Sequence, residues 1–349
     1  MAAATDMGVE YLAAAELMER GARAPNWRDV LGIALFASGP QEFAASDVPV
    51  AHIGTRPLTG PAELCEVWHA PGQLESGTAG LVRYRTNGRV ALGVVTLNET
   101  DAGTAGDEGQ RLRAATARAY IDIFQCVRSL GLSRIIRMWN YIPEITREIS
   151  GVERYRHFNE ARKKSFQSCS LDIRGRVPAA CALGSPAGGP LVIYFLAGAD
   201  DFTAIENPRQ VPAYDYPDEY GACSPTFSRA TVSGDPSRPM LFISGTASIV
   251  GHRTVHPGDV LAQTREAVAN IRALVGEANR AAGGECFVPE RFRYKAYVRR
   301  LADLTAVASE LDASIRPVAS IVYLHADICR PDLLVEIEAA GAAEQRGGH

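Results

Sequence analysis

Two carboxylates near the C-terminus, Glu336 and Glu338, are best placed by type and spacing to do acid–base work. They lie in Leu333-Leu-Val-Glu-Ile-Glu338, where Leu333, Val335 and Ile337 alternate with Leu334, Glu336 and Glu338 at the period of a strand. Both acids therefore share one face. A carboxyl held in an apolar cleft keeps its proton toward neutral pH and can deliver it, whereas one that faces water is ordinary edge decoration. The strand alone leaves both readings open. Cys329-Arg330-Pro331 makes a turn just upstream, and Cys329 reads either as a small buried hydrophobe or as a thiol facing the same cleft. Elsewhere, Tyr155, Phe158, Asn159 and Arg162 recur at i, i+3, i+4 and i+7, so one helical face carries all four. That face is either core with an arginine snorkelling at its rim, or an aromatic and cationic wall for an anionic ring compound.

The elements that must position these groups fit a chain of 349 residues, comfortable for two domains. Its 46% apolar and 22% charged residues are ordinary for a globular protein. A net charge of −4 gives no basic footprint, so no nucleic-acid partner is implied. No apolar run is long enough to span a bilayer, and the first residues lack the pattern of a signal peptide. Seven cysteines without a Cys-x-x-Cys pair suit a reducing cytoplasm and argue against a disulfide framework or zinc ribbon. No metal or cofactor is expected. His252 and His256 are four apart, but Pro257-Gly258 makes that segment a loop and no third ligand is evident. There is no P-loop, dinucleotide fingerprint or Gly-x-Ser-x-Gly elbow.

In order, residues 1–29 read as a mobile lead-in with one weak helix from Val9 to Arg20. The first domain is expected over 30–232. A hairpin follows from 81–85 and 90–97 around Asn87-Gly88, whose two positive φ angles would give a type I′ turn. Helices are predicted over 110–130, with Gly131 as the cap residue, and over 151–166, separated by a strand at 135–139. A buried strand at 191–196 precedes a Tyr- and Pro-rich stretch carrying Tyr214, Tyr216 and Tyr220, the composition of a binding loop or connector. The segment 233–239 reads as a linker and 240–345 as the second domain. There, strand 241–243, the small-residue turn 244–248, helix 259–280, strand 292–300, helix 303–311 and strand 320–324 lead into the closing strand. The order parallels the first domain and predicts an internal duplication.

Three segments of the second domain, Phe242-Ile-Ser-Gly-Thr-Ala-Ser-Ile-Val-Gly251, His256-Pro-Gly-Asp-Val-Leu-Ala-Gln-Thr-Arg-Glu266 and Leu334-Val-Glu-Ile-Glu-Ala339, resemble the YjgF/RidA fold. With Arg154-Tyr-Arg-His-Phe-Asn-Glu-Ala-Arg162 and Asn140-Tyr-Ile-Pro143, residues 30 to 341 resemble the chorismatases, two-domain enzymes that remove pyruvate from chorismate and supply aryl acids to secondary metabolism. The implied fold is α/β (α+β): a C-terminal YjgF/RidA-like mixed sheet packed by helices, and a related, duplicated N-terminal domain. Two positions depart from the family pattern. Ala161 stands where Gly is expected before Arg162, and Ala222-Cys223 where Pro-Arg is expected before Ser224-Pro, which removes one carboxylate-binding arginine.

The resemblance places the catalytic acid at Glu336, which would protonate the methylene carbon of the enol ether. Glu338 shares its face nearer the strand end and takes a supporting role or none. It implies Arg162, Arg299 and Arg229 as forks for the two substrate carboxylates. Tyr155 and Tyr214 would supply hydroxyl contacts, and Gly245-Thr246-Ala247 a close backbone wall. In members that form 3-hydroxybenzoate, a cysteine precedes the acid by the interval seen at Cys329. That residue tilts the expectation toward 3-hydroxybenzoate and away from hydrolysis to 3,4-dihydroxycyclohexa-1,5-diene-1-carboxylate. A RidA-like imine deaminase or a non-catalytic binder on the same fold is the rival. The protein is expected to take chorismate as its small-molecule substrate and to be a monomer or small homo-oligomer.

Overall fold

Alternating and fully apolar runs assemble into three principal sheets. The computed structural model describes residues 7–23, 27–39, 47–103, 106–221, 223–234, 238–315 and 320–344. The first sheet has four strands in the order Gly8–Ala13, Leu64–His69, Val30–Phe36, Val50–Ile53. The lead-in expected over 1–29 is thus structured where it is described. Gly8–Ala13 pairs antiparallel with Leu64–His69, and the helix starts only at Ala14, running Ala14–Arg23. Val9, Tyr11 and their partners satisfy a ladder, which a helix beginning at Val9 would leave unpaired.

The second sheet has six strands, ordered Ala179–Ser185, Arg134–Pro143, Leu191–Gly198, Val90–Leu97, Val82–Thr86, Glu75–Ala79. The third is ordered Ser320–His325, Arg293–Val298, Val335–Ala342, Met240–Ala247, Ala230–Ser233, Thr203–Ile205. The two orders are the same. Each sheet runs hairpin, long helix, strand, second helix, parallel strand, and then a closing strand that inserts into the middle. The duplication expected from element order is therefore present in the topology. Thr203–Ile205 and Ala230–Ser233, which sequence groups with the first half, are hydrogen-bonded into the sheet of the second. Residues 235–237 of the expected linker and Ala222 lie outside the described residues.

Helix Glu108–Ser129 opens with a capping box: Gln110 N donates to Asp107 Oδ1 at 2.7 Å, and the Gln110 side chain accepts from Asp107 N. Gly131, at φ 68°, follows its end. Helix Val260–Ala281 is capped by Asp259, which accepts from Ala262 N at 3.0 Å. The hairpin at 87–88 forms, but not as type I′. Only Gly88 has positive φ, and the Asn87 side chain accepts instead from the Arg89 and Val90 amides.

Helices Glu108–Ser129 and Arg154–Ser168 cover the outer face of the second sheet, and Val260–Ala281 and Leu304–Ser314 that of the third. The inner faces share one core with the first sheet, built on Phe36, Trp68, Trp139, Tyr141, Tyr194, Phe242 and Tyr297. Trp139 stacks on Tyr194 with ring centroids 4.4 Å apart. Glu336 and Glu338 belong to this inner face. Among the described residues no helix is long and apolar enough to cross a membrane.

Candidate active site

The closing strand Val335–Ala342 places Val335 and Ile337 in the outer, helix-backed core and turns Glu336 and Glu338 inward. Both acids are buried, at 4% and 2% exposure, so the solvent-facing reading of this strand does not hold. Their surroundings differ. Glu338 lies opposite Lys295, whose Nζ is 2.7 Å from Oε1; Trp139 Nε1 and Tyr297 OH donate to the same oxygen at 3.0 and 3.1 Å, and Arg137 pairs with Oε2. Burial alone would raise its pKa. The Lys295 and Arg137 charges outweigh burial and hold the carboxyl below its ordinary value. Glu336 has no ion-pair partner among the described residues. Burial, then the Glu338 charge, push its pKa up to about 8, against weaker opposition from Arg137, Arg299 and Arg229. Two carboxyls on one strand face thus sit in opposite protonation states at neutral pH.

Glu336 lies on the wall of a cavity of about 530 Å³. Tyr155 from helix Arg154–Ser168, Arg229, Gly245, Ala247, Cys329 and Glu336 all line it, joining residues up to 181 positions apart in sequence (155 to 336). The segment 244–248 is not the turn expected: Met240–Ala247 continues as strand, with a register shift between Ile243 and Thr246. At that shift, Gly245 makes room for the acid. A Cβ built there would run into Glu336 Oε1 and come within 3.1 Å of Cys181 Cβ.

Four expected contacts are placed otherwise. Thr246 lies opposite Ile337, so the two-residue strand period turns it from the cavity that Gly245 and Ala247 line; its hydroxyl donates to Ser244 O at 2.8 Å. Tyr214 sits in the short 3₁₀ turn Ala213–Asp215, which carries it against Glu206 and the Gly175 backbone. Arg299 braces the loop before the closing strand: Nε donates to Leu333 O at 2.7 Å, Nη2 to Ile328 O and Arg330 O at 2.9 and 2.8 Å, and Nη1 pairs with Asp327 at 2.7 Å. With those donors committed it does not line the cavity. Arg162 is 1% exposed and also not in the lining; its guanidinium stands over the Tyr120 and Phe166 rings. Its Nε and Nη2 have no hydrogen-bond partner among the described residues, an unusual state for a buried cation. Phe158, the fourth member of that helical face with Tyr155 and Asn159, packs in the core.

Sequence reasoning missed Arg330, Tyr216, Tyr220 and Phe227 as lining residues. Arg330 donates to His252 O at 2.9 Å, and its guanidinium stacks 4.0 Å from the Tyr220 ring centroid. Arg229 Nη2 donates to Tyr216 OH at 2.6 Å and to Val211 O at 3.0 Å, and its Nε has no hydrogen-bond partner among the described residues. The Tyr- and Pro-rich composition was the available signal for this wall. His252 faces Glu219 at 3.2 Å and His256 faces Glu266 at 3.6 Å, so the two histidines turn to separate partners. Burial pushes the Cys329 thiol up to about 12, which keeps it neutral, and burial also raises the Tyr155 hydroxyl.

A proton-bearing carboxyl, a neutral thiol and arginine-backed aromatic walls around one cavity can protonate and hold a small anionic molecule. A family model described as "Chorismatase FkbO/Hyg5-like, N-terminal" matches residues 66–197. The chain is 37% identical over 324 residues to a 3-hydroxybenzoate synthase of Streptomyces hygroscopicus, covering 90% of this chain and 92% of that one. It is also 37% identical over 277 residues to a chorismatase of the same organism, covering 78% of each. A crystal structure of a chorismatase superposes with a TM-score of 0.82 at 32% identity, covering 96% of this chain and 98% of the other. Similarity of this extent, over both halves of the molecule, means that the chain belongs to the chorismatase family.

Proposed function

We propose that the protein is an enzyme that cleaves chorismate, releasing pyruvate and forming 3-hydroxybenzoate. The observation that carries this reading is Glu336: a buried carboxyl, still protonated near neutral pH, on the wall of a cavity sized for a small ligand. Its proton goes to the methylene carbon of the enol ether and becomes part of the methyl group of pyruvate. Positive charge develops at the ether carbon. The neighbouring ring hydroxyl oxygen attacks the ring carbon that bears the ether, closing an epoxide and giving up its proton as the ring–oxygen link breaks and pyruvate departs. Protonation and opening of the epoxide at its other carbon leave the oxygen where the ether stood, and loss of the hydrogen on that carbon aromatises the ring. Two protons are released and one is taken up, so the net proton restores the acid. This route consumes no net water, whereas hydrolysis to the dihydroxycyclohexadiene carboxylate consumes one.

Arg229 and Arg330 line the cavity as cations for the two carboxylates, backed by Tyr216 and Tyr220. Arg162, whose charge is felt at Tyr155, reinforces the positive field from behind that wall. Gly245 and Ala247 leave the acid accessible. Cys329 supports the aromatising outcome: as a neutral thiol it is no nucleophile, and it fills space beside the acid that water would otherwise occupy. The relative named 3-hydroxybenzoate synthase supports the same product.

The test is direct. Chorismate incubated with the folded protein should yield pyruvate in a coupled assay and 3-hydroxybenzoate by chromatography. Absence of pyruvate would remove the enzymatic reading; pyruvate accompanied by the diene diol would transfer the assignment to the hydrolytic route.

A further inference from the structure

Behind the cavity wall, Glu66, Lys295, Glu338 and Arg137 form a buried cluster that joins all three sheets. Lys295 Nζ contacts both Glu66 and Glu338, and also donates to Tyr194 OH at 2.9 Å. Trp68 Nε1 and Tyr194 OH donate to Glu66 Oε1 at 2.7 and 3.0 Å. All four charged residues are at most 3% exposed, and none lines the large cavity. As a way to fill a core this arrangement is poor, because well-packed apolar residues of similar volume often serve as well or better. What the cluster does supply is a fixed negative charge at Glu338, two residues along the strand from Glu336 and on the same face.

We propose that Glu338 is a positioning residue for the proposed acid: anchored as a carboxylate by Lys295 and Arg137, it adds its charge to the effect of burial in keeping Glu336 in its acid form. The proposal rests on the function assigned to Glu336 above. Groups i and i+2 on a strand lie about 7 Å apart. At an effective dielectric constant near 20, like charges at that distance move a titration by more than one pH unit. Glu336 is also faced by Arg137 from strand Arg134–Pro143, Cys181 from Ala179–Ser185, Tyr155 from its helix, and by Arg229, Arg299 and Cys329. The three arginines favour its anion. Glu338 is the carboxylate that opposes them, and the network explains why it, and not Glu336, surrenders the proton.

Glu338→Gln should therefore shift the midpoint of the Glu336 titration downward by at least one pH unit. The basic limb of kcat/KM should follow, with activity at pH 6 retained within about tenfold. Arg137→Gln, which removes a charge favouring the anion, should shift the midpoint upward, and Arg137→Lys should restore it. A structural defect would not produce opposite displacements with rescue. The midpoint can be read without substrate from the carboxyl resonance of ¹³C-labelled glutamate, assigned by its absence in Glu336→Gln. If Glu338→Gln does not fold, the Arg137 pair carries the test. An unmoved midpoint, or displacement in the same direction in both Gln variants, overturns the proposal. A displaced midpoint in a protein that releases no pyruvate from chorismate would instead sink the functional reading and leave the electrostatic one standing.

Discussion

The strand Leu191–Gly198 and the strand Val335–Ala342 occupy the same place in two sheets of identical order, each between a hairpin strand and the strand that follows the first long helix. Leu191-Val-Ile-Tyr-Phe-Leu-Ala-Gly198 is buried throughout and wholly apolar except for one tyrosine hydroxyl. Its counterpart carries Glu336 and Glu338. Each hairpin strand also yields space to its closing strand through a glycine. A Cβ at Gly93 would collide with Phe195, and one at Gly245 would collide with Glu336. One architecture thus uses the same local device to seat a ring in one half and a carboxylic acid in the other. The two slots open on opposite faces, Phe195 into the helix-backed core and Glu336 onto the inner face, and the residue placed in each decides between stability and chemistry.

The largest effect should come from removing the acid. Glu336→Gln keeps the shape of the slot and deletes the proton donor, so kcat for pyruvate release should fall by about 10²–10⁴-fold while the protein stays folded. The same variant carries a pH signature. Glu336 binds its proton more tightly folded than unfolded, so its contribution to stability is complete below about 4.5 and is lost as pH rises toward about 8. Thermal melts should therefore show Glu336→Gln gaining on the wild type between pH 5 and pH 8, and kcat/KM of the wild type should fall as pH passes 8. A parallel pH dependence of the two melting curves would mean that the slot does not hold a protonated acid.

The two glycines give the sharper comparison. Gly245→Ala should cost activity, about 100-fold in kcat, because the methyl group displaces the carboxyl it touches. Gly93→Ala should cost about 1–3 kcal/mol of stability by overpacking Phe195 and Val82, and leave kcat of the remaining folded enzyme unchanged. Equal effects of the two substitutions on kcat would erase the distinction between a structural and a chemical slot.

Much of this was legible in the sequence, for identifiable reasons. Strand alternation put Glu336 and Glu338 on one face, small residues marked 244–248 as a place of close approach, and repeated element order announced the duplication. What periodicity could not reveal was which partner each charge would meet. Glu338 is anchored by Arg137, 201 residues away in sequence. Arg299 looked like a free fork, yet its guanidinium is consumed by backbone carbonyls of the loop that presents Cys329. Conversely, Arg330 was visible only as part of a turn, and its stacking on Tyr220 depends on a loop brought in from the Pro-rich segment. Thr246 and Tyr214 lie outside the cavity lining for local reasons, a segment read as a turn that continues as strand past a register shift, and a 3₁₀ turn that moves one tyrosine aside and presents another two residues later.

Arg330 should therefore matter more to binding than the sequence implied. Arg330→Ala removes one cation and the stacking partner of Tyr220, and KM for chorismate should rise about tenfold, the weight of one partly exposed charge-assisted contact. A change confined to kcat would mean that Arg330 supports the wall without meeting substrate.

Among the residues that line the cavity, the smallest expected change in rate falls at Cys329, and there the readout is product identity. A thiol pushed up to about 12 carries no appreciable charge at neutral pH, so it cannot attack the ring or hold a proton in transit. Its contribution beside the acid is volume and low polarity. Cys329→Ala opens space next to Glu336 for a water molecule, and that water lies where the oxocarbenium carbon would form. Pyruvate release should stay within about threefold of wild type, since the protonation step is untouched, while part of the aryl product gives way to the water-consuming diene diol. Chromatography reads both outcomes, because 3-hydroxybenzoate and the diene diol separate and their ratio gives the partition. If the variant forms 3-hydroxybenzoate alone, the thiol is packing and the partition between products is set by other residues of the cavity.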